Sequence, residues 1–310
     1  MGEKARGTVT GSKVGFIGLG AMGLPMAKRV VGAGYETFTT YHRRREPADA
    51  LAGLGAHVLE SAAEVARSAD VIITIVPADR ELKETVFGDE GLLRGFSRGK
   101  VLVDMTTATA LSMQEVEQAV VAAGGEVLDA PVSGGTPAAA QGTLTIMAGG
   151  RADLLESCRP LLETMGKQIV HVGPVGQGKV VKIVNQMMAA AHLLMIGEAF
   201  ALGVRCGADP RTLYEVIKTS SGHSRMMDLR LPGFLFEGAF QPGFRLDLMK
   251  KDVNLAVDSG RAMNVPLLLT SAVGQLFSAA SASGKGDADF SAAAQYVADL
   301  AGVRLTERQV

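Results

Sequence analysis

Only two cysteines occur in 310 residues, Cys158 and Cys206, and their contexts are unrelated. That argues against a disulfide framework or a thiolate zinc site and points to a reducing, cytoplasmic setting. Net charge is nearly absent: 31 Lys and Arg against 32 Asp and Glu leave −1. A general nucleic-acid binder needs a basic surface, so no nucleic-acid partner is expected. The five histidines join no His/Asp/Glu set at metal-ligand spacing, so no metal is expected. Internal repeats and low-complexity tracts are missing. The opening residues Met1 to Gly7 lack the apolar core of a signal peptide, and residues 1–12 read as a mobile tail. The longest apolar stretch, Ile183 to Val204, is interrupted by Asn185, Gln186, His192 and Glu198. Each is costly at bilayer depth, so the stretch reads as a buried helix and no membrane is expected.

What is present is apolar: 47% of residues are hydrophobic and 20% charged. The length suggests two domains, and the apolar balance suggests a subunit interface. From residue 13 to about 172 short apolar runs alternate with helical segments. Val14 to Ile17, Val71 to Val76 and Val101 to Asp104 are continuous apolar runs suited to parallel strands buried on both faces. Glu36–Tyr41, Ala56–Leu59, Glu126–Asp129 and Leu144–Ala148 add further strands. Helices fall over Met22–Ala33, Ala48–Leu54, the stretch from Ser61 to Ser68, and Ser112–Ala123. This is an α/β pattern with a right-handed, parallel sheet. After Gly173-Pro174 the strand signals stop. Gly178 to Cys206 reads as one long helix, followed by helices from Asp209-Pro210 and over Arg225–Arg230, Leu246–Ala262, Leu267–Ser283 and Phe290–Leu300. The domains are therefore set at 13–174 and 175–310, the second all-helical.

Gly18-Leu19-Gly20-Ala21-Met22-Gly23 follows the first strand and opens a helix. In that context G-x-G-x-x-G signals a dinucleotide site. The first glycine permits the tight turn, the second admits the pyrophosphate, and the third lets helix and strand pack closely. Amide groups and the helix dipole then favour the phosphates. An NAD binder usually places an acid after the second strand for the ribose 2′-hydroxyl. Here Tyr41-His42-Arg43-Arg44-Arg45 stands instead. Guanidinium forks suit a 2′-phosphate, so NADP is expected and NAD stays open as a solvated basic turn would allow.

Two further segments carry chemistry. Asp129-Ala130-Pro131-Val132-Ser133-Gly134-Gly135-Thr136 ends a strand in a glycine turn. It reads either as an anion nest for a carboxylate or as an ordinary loop. Lys182, Asn185 and Gln186 are spaced i, i+3 and i+4 on the long helix and so share a face. A lysine among Val181, Ile183 and Val184 is a candidate general acid–base group. Lys179 reads as a lysine snorkelling from the helix end. Phe240 to Asp252 is a third segment, legible as a capped surface helix.

Together these pieces resemble the β-hydroxyacid dehydrogenase family, which includes 3-hydroxyisobutyrate dehydrogenases and tartronate semialdehyde (2-hydroxy-3-oxopropionate) reductases. The match runs over about residues 13 to 302, through Gly15 to Ala27, Asp129 to Gly135, the Lys182 helix and Lys251-Asp252. The resemblance implies an α/β Rossmann domain joined by a long helix to an all-α domain, with homodimers or homotetramers. It implies Lys182 as the acid/base, and Ser133, Gly134 and Gly135 as the holders of a carboxylate on a small hydroxy acid or semialdehyde. Asn185 or Gln186 orients the substrate. Val76, Pro77 and the Thr106-Thr107 turn look like cofactor contacts beside His42, Arg43 and Arg44, and Lys251 resembles the lysine that reaches the nicotinamide side. Among rivals, 6-phosphogluconate dehydrogenases are longer and carry a His-Asn pair after the lysine. Imine reductases usually replace that lysine, and a non-catalytic NADP-binding module tends to lose it. His171 and His192 read as satisfied core groups. Ser220, His223 and Arg225 are candidates for tuning specificity.

Overall fold

A computed structural model describes residues 12–306. The tail read over residues 1–12 lies, up to residue 11, outside the described residues. Two compact units divide between Lys182 and Ile183.

The first unit runs β1 (Val14–Ile17), α1 (Gly23–Gly32), β2 (Thr37–Thr39), α2 (Glu46–Ala52), β3 (His57–Val58), α3 (Ala62–Ser68), β4 (Val71–Thr74), α4 (Asp79–Phe87), β5 (Val101–Asp104) and α5 (Ala110–Ala122). It continues through β6 (Glu126–Asp129), β7 (Val132–Ser133), α6 (Gly135–Gln141), β8 (Leu144–Gly149), α7 (Ala152–Glu163) and β9 (Gly166–Gly173). The strand order is β3-β2-β1-β4-β5-β6-β8-β7, with β9 beside β8.

Strands β1 to β6 pair in parallel, and the period of two sorts their side chains. Val14, Phe16, Val71, Ile73, Val101 and Val103 fill the core on one face. Ile17, Ile72, Leu102 and Val127 fill the core on the other. At the far side of the sheet β8 runs antiparallel to β6 and β7. Only residues 134–143 separate β7 from β8, fewer than a parallel crossover needs. Helix α3 starts where its capping box predicts: the Ser61 hydroxyl accepts the Glu64 amide at 3.2 Å.

The second unit is helical: α8 (Gln177–Arg205), which begins in the first unit, then α9 (Pro210–Ile217), α10 (Arg225–Arg230), α11 (Leu246–Ala262), α12 (Leu268–Ala280) and α13 (Ala292–Leu300). Its core gathers Leu193, Leu194 and Phe200 of α8 with Leu246, Met249 and Val253 of α11, Phe277 of α12 and Ala294 of α13. Gly197 permits the close approach of α8 to α13, since a Cβ there would lie 2.6 Å from the Ala294 carbonyl oxygen.

Helix α8 is long and apolar enough, by length and composition, to cross a membrane, yet less than half of its most apolar window is buried. The reading of a buried helix therefore holds for one side only. Val181, Val184, Met188, Met195 and Leu202 are exposed along the other. His192 sits on the exposed side too, and His171 is an exposed residue of β9 whose Nε2 lies 2.7 Å from the Gly150 carbonyl oxygen. Neither is a core group, because apolar neighbours in sequence point to other faces of the helix and strand.

Candidate active site

Paired residues Ile17, Thr74, Asp104 and Asp129 form one row across β1, β4, β5 and β6, at the strands' carboxyl ends. Open α/β sheets bind ligands beyond this edge. The segments that leave it are the glycine loop after β1, Thr40 to Arg44 after β2, Val76-Pro77 after β4, Thr106-Thr107 after β5 and Ala130 to Gly135 after β6.

The three loop glycines differ in what a side chain would meet. Gly18 has φ +101°, and a Cβ there would overlap the Ile75 carbonyl oxygen. A Cβ on Gly23 would overlap the Gly18 carbonyl oxygen. At Gly20 nothing lies within 4 Å of that position. Two glycines shape the turn and the middle one leaves a gap on its outer side, so the loop fits a pyrophosphate. After β2, the Thr40 hydroxyl is buried and makes no hydrogen bond. Arg45 is engaged by Asp49 at 3.1 Å and Tyr41 at 3.4 Å. His42, Arg43 and Arg44 are exposed, Arg44 beside Glu46 at 3.5 Å.

The loops after β4 and β5 are bonded to each other. Thr106 Oγ1 accepts the Val76 amide at 3.1 Å and donates to Asp104 Oδ1 at 2.7 Å. Thr74 Oγ1 donates to the same oxygen at 2.6 Å. The start of α8 lands on these strand ends. Asp129 accepts the Gly176 amide at 2.8 Å and the Lys179 amide at 2.9 Å, so it caps a helix distant in sequence. Burial pushes the Asp129 carboxyl above the usual carboxylate range, and the Asp104 carboxylate adds to the rise; the Lys179 ammonium and the two amides oppose it.

The reading of Lys179 as a snorkelling residue is wrong. Its side chain is fully buried and forms an ion pair with Asp104 Oδ2 at 2.5 Å. Its other donors go to the carbonyl oxygens of Asp104 at 2.9 Å and Thr106 at 2.8 Å. Snorkelling needs water at the helix end, and this end lies against β5 and β6. Lys182, three residues on, is also buried, with 7% of its surface exposed. Ser133, Gly134 and Gly135 make the turn from β7 into α6, with φ +135° at Gly134 and +70° at Gly135.

In the second unit the choice between Asn185 and Gln186 is narrowed by hydrogen-bond chemistry. Asp252 only accepts, so the Gln186 amide nitrogen faces it, at 2.7 Å. The Gln186 oxygen then accepts Asn185 Nδ2 at 3.1 Å. Gln186 is buried and joins α8 to α11, whereas Asn185 is half-buried. Lys251 Nζ lies 2.8 Å from Asp252 Oδ1. His223 belongs to another cluster: Asp228 meets His223 Nε2 at 2.9 Å and accepts from Tyr214 at 3.0 Å. These bonds hold the Asp228 carboxyl below the usual range, and they tie the loop before α10 to α9.

Residues 13–173 match the family model described as the NAD binding domain of 6-phosphogluconate dehydrogenase. Residues 176–297 match that described as NAD-binding of NADP-dependent 3-hydroxyisobutyrate dehydrogenase. The chain is 37% identical to a 2-(hydroxymethyl)glutarate dehydrogenase of Eubacterium barkeri, over 96% of this chain and 98% of that one. It is 35% identical to the 2-hydroxy-3-oxopropionate reductase of Escherichia coli, over 94% and 99%.

The chain belongs to the β-hydroxyacid dehydrogenase family.

Solved structures agree: a 3-hydroxyisobutyrate dehydrogenase of Salmonella typhimurium superposes with a TM-score of 0.80 at 30% identity, covering 92% of this chain and 99% of that one. As a β-hydroxyacid dehydrogenase the chain is an NAD(P)-dependent oxidoreductase with a Rossmann unit followed by a helical one. Sequence reasoning missed that Asp104 and Asp129 hold the start of α8, through Lys179 and Gly176. The signal for the two acids was visible, since each closes an apolar strand and a buried carboxylate requires partners.

Proposed function

We propose that this enzyme interconverts a small 3-hydroxy acid and its semialdehyde, with Lys182 as the proton donor and acceptor. The observation that carries the reading is the burial of Lys182 in the second turn of a helix whose first turn is bonded to the ligand-binding edge of the sheet. Ser133, Gly134 and Gly135 hold the substrate carboxylate through the turn that opens α6, and Asn185 orients the reacting hydroxyl. Gly18 to Gly23, Val76, Pro77 and Thr107 bind the cofactor, with Lys251 toward its nicotinamide. His42, Arg43 and Arg44 favour NADP over NAD, because no acid competes for the 2′-position. When bound, the nicotinamide supplies or accepts the hydride. In the reductive direction Lys182 Nζ donates a proton to the carbonyl oxygen that becomes the hydroxyl; in the oxidative direction it removes that proton. Burial excludes water from the ammonium and keeps the proton transfer directed.

The test is a panel of 3-hydroxyisobutyrate, D-glycerate, 3-hydroxypropionate and serine, with the corresponding semialdehydes, against NAD(H) and NADP(H). Lys182→Ala is expected to lower turnover by at least roughly 10²-fold while cofactor binding survives. Near-normal turnover in that variant overturns the assignment.

The exposed apolar face of α8 supports a homo-oligomer. Val181, Met188, Met195 and Leu202 recur every seven residues, and Met195 and Leu202 are 62% and 68% exposed. Such an exposed apolar stripe is covered most simply by a second copy. Neither cysteine is in a disulfide, Cys158 buried and Cys206 exposed, which suits a cytoplasmic setting.

A further inference from the structure

The buried cation at Lys179 plays no part in the chemistry above. Three ammonium donors meet three acceptors: the Asp104 carboxylate and the carbonyl oxygens of Asp104 and Thr106. A buried ammonium is costly unless every donor is satisfied, and replacing such a pair with apolar groups is often neutral for stability. Stability alone therefore gives little reason to place a lysine here. Geometry gives a better one. Asp104 Oδ2 takes Lys179, while Asp104 Oδ1 takes Thr74 and Thr106, and Thr106 Oγ1 accepts the Val76 amide. One carboxylate thus links the first turn of α8 to the ends of β4 and β5 and to the backbone of a loop that faces the cofactor side. Asp129 adds a second tie through the amides of Gly176 and Lys179. Both ties reach Lys179, three residues and so less than one turn from Lys182 on the same helix.

We propose that Lys179 is a positioning residue, which clamps the first turn of α8 to Asp104 so that Lys182 and the Val76 loop move as one body. The inference rests on the assignment of Lys182 above. A wrist held at two points, by charge at Asp104 and by capping at Asp129, fixes both the axial position and the rotation of the helix. Rotation matters most, since a few degrees at the first turn swing a long lysine side chain through several tenths of an ångström. Misplacement near 1 Å can cost about 10²-fold in rate.

The experiment uses the full chain in three forms: Lys179→Met, Asp104→Asn, and the charge-free pair Lys179→Met with Asp104→Leu. If the first two fail to fold, the charge-free pair still tests the idea, because it removes both members of the Lys179–Asp104 ion pair together. Amide hydrogen exchange is measured without substrate over residues 74–77 and 176–183. Turnover is measured with the hydroxy acid that wild type uses best. The charge-free pair is expected to melt within a few degrees of wild type. Its exchange is expected to rise at least about tenfold in both segments, and kcat to fall about 10²-fold. KM for the cofactor should rise by less than kcat falls, since the glycine loop is untouched and only the Val76 side of the cofactor site loosens. Wild-type exchange in both segments, or wild-type kcat in the charge-free pair, overturns the proposal. A merely structural lysine would restore kcat together with melting temperature. Failure of the Lys182 assignment shows separately, as an active Lys182→Ala variant, and leaves the exchange result standing.

Discussion

Gly18, Gly20 and Gly23 lie within six residues, yet alanine at each should fail in different ways. At Gly20 a methyl group meets nothing within 4 Å and the backbone is not left-handed. Gly20→Ala should therefore leave stability within about 0.5 kcal/mol of wild type. The methyl would occupy the gap offered to the pyrophosphate, so cofactor Kd should rise at least about tenfold, or roughly 1.4 kcal/mol. At Gly18 alanine must adopt φ +101° and overlap the Ile75 carbonyl oxygen. The backbone costs roughly 1–2 kcal/mol and the overlap roughly 1–3 kcal/mol. A domain of this size loses about 2–4 °C per kcal/mol, so Gly18→Ala should lower Tm by roughly 4–20 °C. Gly23→Ala, which overlaps the Gly18 carbonyl oxygen, should behave like Gly18→Ala. Thermal melts of the free protein, paired with NADPH fluorescence titrations, separate the outcomes. Wild-type affinity in Gly20→Ala would refute the assignment of the gap, and an unchanged Tm in Gly18→Ala would refute the steric argument.

Three other outcomes are expected. Arg43→Glu with Arg44→Glu should raise KM for NADPH far more than KM for NADH; equal changes would remove the case for 2′-phosphate recognition. Asn185→Ala should raise substrate KM by roughly 10–100-fold. Gln186→Met, which keeps length but drops the Asp252 bond, should have a smaller effect, and steady-state kinetics showing the reverse order would exchange their roles. Met188→Glu with Met195→Glu should turn the proposed homo-oligomer into a monomer in size-exclusion chromatography with light scattering, and an unchanged mass would refute the α8 stripe as a subunit interface.

Much of the fold was legible because burial on both faces writes continuous apolar runs. Strands β1, β4 and β5 are such runs, and α11 has its expected limits because its apolar residues recur at helical spacing. Helix α4 was hidden: only Leu82 and Val86 are buried among its charged residues. In α6 small residues give no stripe, and α7 carries Pro160 inside it. Strand β9 is mostly exposed and owes its form to pairing with β8. The site divides in the same way. Glycines and Lys182 announce themselves by spacing. The partnership of Lys179 with Asp104 spans 75 residues, and no local pattern reports which strand end a helix start will touch. Hydrogen-bond chemistry at Asp252 likewise separates Asn185 from Gln186 only once α11 is beside α8.

Lys182 is the last residue of the first compact unit, although its helix continues for 23 more residues, Ile183 to Arg205. On the proposed mechanism the proton carrier belongs to the unit that holds the sheet, and Asn185, three positions later, to the helical unit. On that assignment, selection acting on the helical unit would alter which acid is accepted and leave the proton transfer in place. Relatives near 36% identity that bear the names of 2-(hydroxymethyl)glutarate, 2-hydroxy-3-oxopropionate and 3-hydroxyisobutyrate enzymes are what such a division of labour would leave behind.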